Sequence, residues 1–190
     1  MEAFLVSLGS VAVAEIGDRT QLLALLLSAR FRRPAPIIAG IFCATVANHA
    51  AAGFVGRWFG GLIRPHVLDI VVGVSMIGVA LWTLKPDELD ADAAPSGAAG
   101  AFFATLSSFF VAEIGDKTQI ATLALAAAYP NLAAVICGTT LGMLAANVPV
   151  VFLGRAFADR LPLKAIHYGA SALFFVLGIV FLLRGFWGPV

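Results

Sequence analysis

Apolar residues run along the chain in six long blocks separated by short polar turns, at residues 3–29, 35–59, 66–84, 101–128, 131–154 and 164–185. Each block is near or above the roughly 20 residues a helix needs to cross the hydrocarbon core. The pattern predicts an all-α integral membrane protein with six transmembrane helices. Two blocks are interrupted by charge at matching places. Val13 to Gln21 reads V-A-E-I-G-D-R-T-Q, and Val111 to Gln119 reads V-A-E-I-G-D-K-T-Q. A carboxylate at mid-membrane costs about 2.5–3.5 kcal/mol on insertion scales, and such residues mark ion or substrate paths. Four of them in matched pairs point to a cation site.

A shift of 98 residues aligns Ser7 with Thr105, Ser10 with Ser108, both motif acids, Gly40 with Gly138, and Gly56-Arg57 with Gly154-Arg155. The chain therefore reads as an internal duplication with three spans per copy. An odd number of spans makes the second copy enter the membrane from the opposite side, so the expected architecture is two inverted three-helix repeats about an axis in the membrane plane. The repeats are expected at 1–85 and 101–190. Between them, 86–100 reads as an acidic, flexible linker of Pro, Gly and small residues carrying Asp87, Glu88, Asp90 and Asp92. Those four acids fit a solvated linker better than a metal site.

Composition narrows the class. The 190 residues are 61% hydrophobic and 12% charged, with a mean hydropathy of +0.96, which excludes an ordinary soluble domain. Six spans leave no room for an extramembrane domain, so nucleic acid and large soluble substrates are not expected partners; the bilayer, a metal ion and protons are. The first block carries Glu15, Asp18 and Arg19 where a cleavable signal would be apolar, so it is expected to be retained. Cys43 and Cys137 have no neighbouring Cys or His to make a metal or redox site and are expected to pack in the interior. Seven basic residues near span ends (Arg30, Arg32, Arg33, Lys85, Arg155, Arg160 and Lys164) oppose three (Arg57, Arg64 and Arg184), which predicts a cytoplasmic linker and outward-facing termini.

On a continuous helix, Glu15 and Asp18 share a face, as do Glu113 and Asp116. Gly17 and Gly115 between them are read first as sites of close helix approach, and second as local breaks. Thr20, Gln21, Thr118 and Gln119 add neutral oxygens one turn on, and Asn48 and Asn147 either complete a ligand shell or bond between helices. The candidate metal ligands are thus Glu15, Asp18, Glu113, Asp116, Gln21, Gln119, Asn48 and Asn147. All are oxygen donors, which favours hard ions such as Mn²⁺, Ca²⁺ or Mg²⁺ over Cu⁺ or Zn²⁺. Four carboxylates set against Arg19 and Lys117 leave a net charge of −2. One divalent cation or two protons would neutralise it, which suggests exchange of one for the other. The structural alternative pairs Glu15 with Arg19 and Glu113 with Lys117 along each helix; it leaves Asp18 and Asp116 unexplained. His66 and His167 begin spans, whereas His49 lies within one and is a secondary candidate for carrying protons. Trp58, Trp82 and Trp187 fall near span ends, as interfacial anchors do.

The two motifs give the chain a resemblance to the transmembrane protein 165 family, whose members carry E-x-G-D-[KR]-[ST] on each of two three-span halves. Glu15-Ile16-Gly17-Asp18-Arg19-Thr20 and Glu113-Ile114-Gly115-Asp116-Lys117-Thr118 match without departure. The resemblance implies a secondary transporter exchanging Mn²⁺, and in some members Ca²⁺, for protons, with Glu15, Asp18, Glu113 and Asp116 on the ion. No organelle-targeting extension is seen, so a bacterial inner-membrane manganese exporter is expected, without a resident cofactor and as a monomer or homodimer. Alternatives are a Ca²⁺:proton antiporter with the same site, a small cationic solute exporter, an aspartyl protease using Asp18 and Asp116, and a structural subunit. The protease lacks its G-x-G-D context and leaves the glutamates idle, and a structural role needs no duplicated acids.

Overall fold

A computed structural model describes residues 1–84, 100–153 and 163–187, and among these every regular element is a helix. Lys85, the expected linker up to residue 99, Arg155 and Arg160 lie outside the described residues, as do the side chains of Lys164 and His167. Eight helices follow in order: α1 (Glu2–Glu15), α2 (Arg19–Phe31), α3 (Pro34–Leu62), α4 (Pro65–Thr83), α5 (Ala101–Glu113), α6 (Lys117–Ala128), α7 (Leu132–Leu153) and α8 (Leu163–Trp187). Four of them, α3, α4, α7 and α8, are long and apolar enough to cross a membrane.

The first and fourth apolar blocks are not single helices. Each divides at its I-G-D triplet, giving α1 with α2 and α5 with α6. At 1.5 Å per residue, the 14 residues of α1 extend about 21 Å, short of a bilayer core of about 30 Å. Elsewhere the boundaries follow local chemistry. Pro34 and Pro65 open α3 and α4 at positions where a missing N–H is harmless. Arg32 closes α2 in the left-handed region, its N–H returning to Ser28 O.

The half-helices pack against the long ones through small residues. A Cβ placed on Gly40 of α3 would lie 2.8 Å from Phe102 O and 2.8 Å from Thr105 Cβ of α5. One on Gly138 of α7 would lie 2.6 Å from Phe4 O and 2.9 Å from Ser7 Cβ of α1. These two contacts map onto each other under the 98-residue shift. Only glycine permits such backbone approach. α4 and α8 pack side by side at the flank over an apolar core that includes Met76, Val79, Phe174 and Phe181. Buried polar residues concentrate instead on α1, α2, α3, α5, α6 and α7.

Large apolar side chains such as Phe54, Phe103, Phe152 and Val176 cover the outside, as a lipid-facing surface requires. Trp58 and Trp187 are exposed near helix ends. Cys43 and Cys137 are also exposed, on α3 and α7, rather than packed in the interior as expected. A thiol on an apolar outer face is compatible with lipid, so the usual burial rule for soluble proteins does not transfer.

Candidate metal centre

The I-G-D triplets make the centre. Gly17 and Gly115 stand at φ +82 and +76, a region that strains any residue with a Cβ. A Cβ on Gly115 would meet nothing within 4 Å, so its role is the turn and not close packing, which corrects the first expectation for that glycine. Asp18 and Asp116 then restart the chain as N-caps, each accepting from the backbone N–H two residues on, Thr20 N and Thr118 N, at 3.4 Å. Gln21 Oε1 accepts from Gly17 N–H and Gln119 Oε1 from Gly115 N–H, both at 2.7 Å. D-R-T-Q and D-K-T-Q thus act as a variant of the capping box, shifted by one residue, with the third-residue amide reaching back across the break to the glycine N–H. The glutamine oxygens expected on the ion are engaged in holding the turn.

Glu15 and Glu113 end their helices and the aspartates begin the next, so each pair converges through a break instead of sharing one helical face. Glu15, Asp18 and Glu113 are wholly buried, and Asp116 is 1% exposed. One carboxylate oxygen each from Glu15, Glu113 and Asp116 lie within 4.8 Å of one another. Oxygens on opposite sides of a hard cation with bonds of 2.3–2.6 Å are separated by roughly 4.6–5.2 Å, so the cluster has the dimensions to hold one ion. The C-terminal ends of α1 and α5 also direct partial negative charge to this place, which favours a cation.

Thr20 and Thr118, expected to add neutral oxygens beside the acids, tie those acids together. Thr20 Oγ1 donates to Glu15 Oε2 at 2.5 Å and approaches Asp18 Oδ2 at 3.3 Å. Thr118 Oγ1 lies 3.4 Å from Glu113 Oε2 and 3.2 Å from Asp116 Oδ2. The E-x-x-D-x-T spacing was the available signal, since a hydroxyl at the second helical position faces the cap.

The basic residues cross between motifs. Lys117 pairs with Asp18, both buried, and Arg19 Nη2 lies 3.3 Å from Asp116 Oδ1 and donates to Ala112 O at 2.6 Å. The expected alternative of pairing along one helix, Glu15 with Arg19 and Glu113 with Lys117, is thereby replaced. A cation at a helix N-terminus opposes the helix dipole, and the crossed aspartates supply the compensation. The two ends differ in accessibility: the Arg19 side chain is 34% exposed, whereas Lys117 is sealed.

Asn48 and Asn147 occupy the flanks. Asn48 Nδ2 donates to Phe110 O of α5 at 3.1 Å, a bond between helices. Asn147 Nδ2 donates within α7 to Met143 O, leaving its buried Oδ1 without a hydrogen-bond partner among the described residues. His49, which the 98-residue shift sets opposite Asn147, is wholly buried with neither ring nitrogen bonded among the described residues. His66 is partly buried at the first turn of α4.

Comparison with known proteins covers both stretches that carry these motifs. A family profile described as "Divalent cation/proton antiporter GDT1" matches residues 3–91 and 101–188. A Vibrio cholerae protein named "Putative manganese exporter" is 49% identical over 180 residues, covering 94% of this chain and 90% of that one. A GDT1-like protein of Synechocystis is 29% identical over 95% of this chain and 96% of its own. Protein PAM71, chloroplastic, of Arabidopsis thaliana is 32% identical over 88% of this chain and 53% of its own length. No solved structure matches.

Proposed function

The chain belongs to the GDT1 family of divalent cation/proton antiporters, and from that premise we propose that it exports Mn²⁺ through the buried carboxylate cluster in exchange for protons. The observation that carries this reading is the meeting of Glu15, from one motif, with Glu113 and Asp116, from the other, within 4.8 Å. Asp18 joins the ion when Lys117 releases it. Gln21 and Gln119 act by fixing the breaks, and Asn147 Oδ1 and Asn48 border the site.

The ion and the protons compete for the same oxygens. With Arg19 and Lys117 retained beside the acids, the net charge of −2 is neutralised by one divalent cation or by two protons, giving one-for-two exchange. Alternating access follows from six spans arranged as inverted repeats, 1–85 and 101–190, joined by the linker 86–100. Each broken helix pair counts as one span. Two features support the inverted arrangement: the glycine contacts that repeat under the 98-residue shift, and the reciprocal ion pairs across the motifs. The protein resides in a bacterial inner membrane with the linker cytoplasmic and the termini outside.

Ca²⁺ is the second reading, because the oxygen-only cluster and its 4.8 Å span suit the longer bonds of that ion equally. Mn²⁺ and Ca²⁺ flux in proteoliposomes, with and without an imposed pH gradient, separates the two. The native chain is expected to drive Mn²⁺ against the gradient, and Asp18→Asn or Asp116→Asn to abolish it. Flux indifferent to the pH gradient would refute antiport, and preference for Ca²⁺ would move the assignment to that ion.

A further inference from the structure

Where the first turns of α3 lie against the last turns of α7, an apolar groove of about 670 Å³ runs between the two helices. Its walls are Pro34, Ile38, Ala39 and Phe42 of α3 with Leu144 and Phe152 of α7. Phe42 and Phe152 are exposed, so the groove opens outward and away from the carboxylate centre. The 29 residues of α3 extend about 43 Å, which matches a bilayer with its headgroup regions. Pro34, the first of them, therefore stands at headgroup level. From there the groove descends eight residues to Phe42, a depth of about 12 Å into the hydrocarbon.

Positive charge gathers at the mouth. Arg32 and Arg33 immediately precede Pro34 and are exposed, and neither pairs with an acid among the described residues. Arg33 is the N-cap of α3, whose first turn holds no acidic residue, so the positive end of the helix dipole adds to the two guanidiniums. The duplicated fold does not require these bases. Under the 98-residue shift they fall on Pro130 and Asn131, which lead into α7 without charge. Guanidinium binds phosphate oxygens bidentately, and basic residues beside grooves between spanning helices suit anionic lipid headgroups. An apolar trough that ends at two unpaired arginines is thus complementary to a molecule with a hydrocarbon tail and a phosphate head.

We propose that this groove is a binding site for an anionic phospholipid, with one acyl chain laid along α3 from Pro34 to Phe42 and the phosphate held by Arg32 and Arg33. Because α3 follows the first motif and α7 the second, the lipid touches both copies of the duplication. The arginines favour lipid over a second copy of this chain as the occupant. Two chains docked groove to groove in one membrane orientation would bring four arginines to the same level, and like charges at an interface oppose association.

Native mass spectrometry of the full chain in detergent, titrated with dioleoyl phosphatidylglycerol or dioleoyl phosphatidylcholine, tests the site. The native chain is expected to retain one phosphatidylglycerol in preference to phosphatidylcholine. Arg32→Asn/Arg33→Gln is expected to weaken that binding roughly 10- to 30-fold, as the loss of two basic contacts to anionic lipid implies; Asn is chosen because Arg32 stands in the left-handed region. Ala39→Trp, at an exposed position, fills the groove and leaves both arginines in place, and it is expected to weaken binding as well. Arg64→Gln, at the exposed arginine that precedes Pro65 at the start of α4, is the matched control and is expected to bind as the native chain does. Equal retention of the two lipids, or an equal loss in Arg64→Gln, would overturn the site. A loss in the double arginine variant with none in Ala39→Trp would overturn the acyl seat. A lipid-free dimer that Ala39→Trp dissociates would give the groove to a second copy instead. These readouts involve no Mn²⁺ flux, so they stand apart from the antiporter reading.

Discussion

Replacing Gly115 by Ala isolates the broken helix from every other feature of the centre. The added methyl would meet no atom within 4 Å, so its penalty is confined to a backbone at φ +76. Left-handed geometry costs an L-residue about 1–2 kcal/mol, and Ala favours a continuous helix over Gly by about 1 kcal/mol. Both act in the same direction, towards running α5 into α6 as one helix. A combined bias of about 2–3 kcal/mol shifts the ratio of broken to continuous forms roughly 30- to 150-fold, at about 1.4 kcal/mol per tenfold. A continuous helix would take Asp116 off its cap and out of the geometry in which it meets Glu15 of the other motif. Mn²⁺ flux in proteoliposomes, read beside thermal unfolding in detergent, is expected to show Gly115→Ala folded but largely inactive. Gly115→Asn is expected to recover much of the flux, because Asn tolerates the left-handed region. Native flux in Gly115→Ala, or Asn performing no better than Ala, would refute the role given to the break.

Three further substitutions probe what surrounds it. Thr20→Val removes the hydroxyl that bridges Glu15 and Asp18 and is expected to lower thermal stability by about 1–3 kcal/mol, more than Thr118→Val, whose 3.4 Å contact to Glu113 is longer; equal losses in thermal melts would contradict this. Lys117→Met takes the ammonium from buried Asp18 and is expected to cost about 3–5 kcal/mol, largely recovered in Asp18→Asn/Lys117→Met. Arg19→Met, at a side chain 34% exposed where water partly replaces the lost charge, is expected to cost less than Lys117→Met, and the reverse order would refute the asymmetry between the crossed pairs. Gly142→Ala puts a methyl 2.6 Å from Leu8 O and is expected to cost about 1–3 kcal/mol by overpacking, visible as a lower melting temperature; an unchanged melt would contradict the tight α1–α7 contact.

Much of this organisation was legible in the residues. Apolar blocks mark α3, α4, α7 and α8 within three residues of their observed ends, because long apolar helices need nothing beyond hydropathy to be seen. The breaks were the harder feature. Hydropathy averages across Ile16–Asp18 and Ile114–Asp116, yet the letters held the signal: a Gly able to close one helix, an Asp able to cap the next, and a Gln three residues after that cap. The acids that meet were identifiable by type and duplication. Their crossed partners were not, since Lys117 with Asp18 and Arg19 with Asp116 are set by how two distant segments pack. For the same reason the hydroxyls of Ser7 and Ser10 look ordinary in sequence and differ from Thr105 and Ser108 only in their hydrogen bonds.

Proton release on metal binding tests most directly whether the ion and the protons share these carboxylates. Titrating MnCl₂ into purified protein by calorimetry, in buffers of differing ionisation enthalpy, counts the protons displaced per ion bound. Competition at a centre of net charge −2 predicts that, from the proton-loaded protein, about two protons leave per Mn²⁺, with fewer in Glu113→Gln. Tight Mn²⁺ binding with no proton released, in the native chain and in Glu113→Gln alike, would contradict exchange at a shared site.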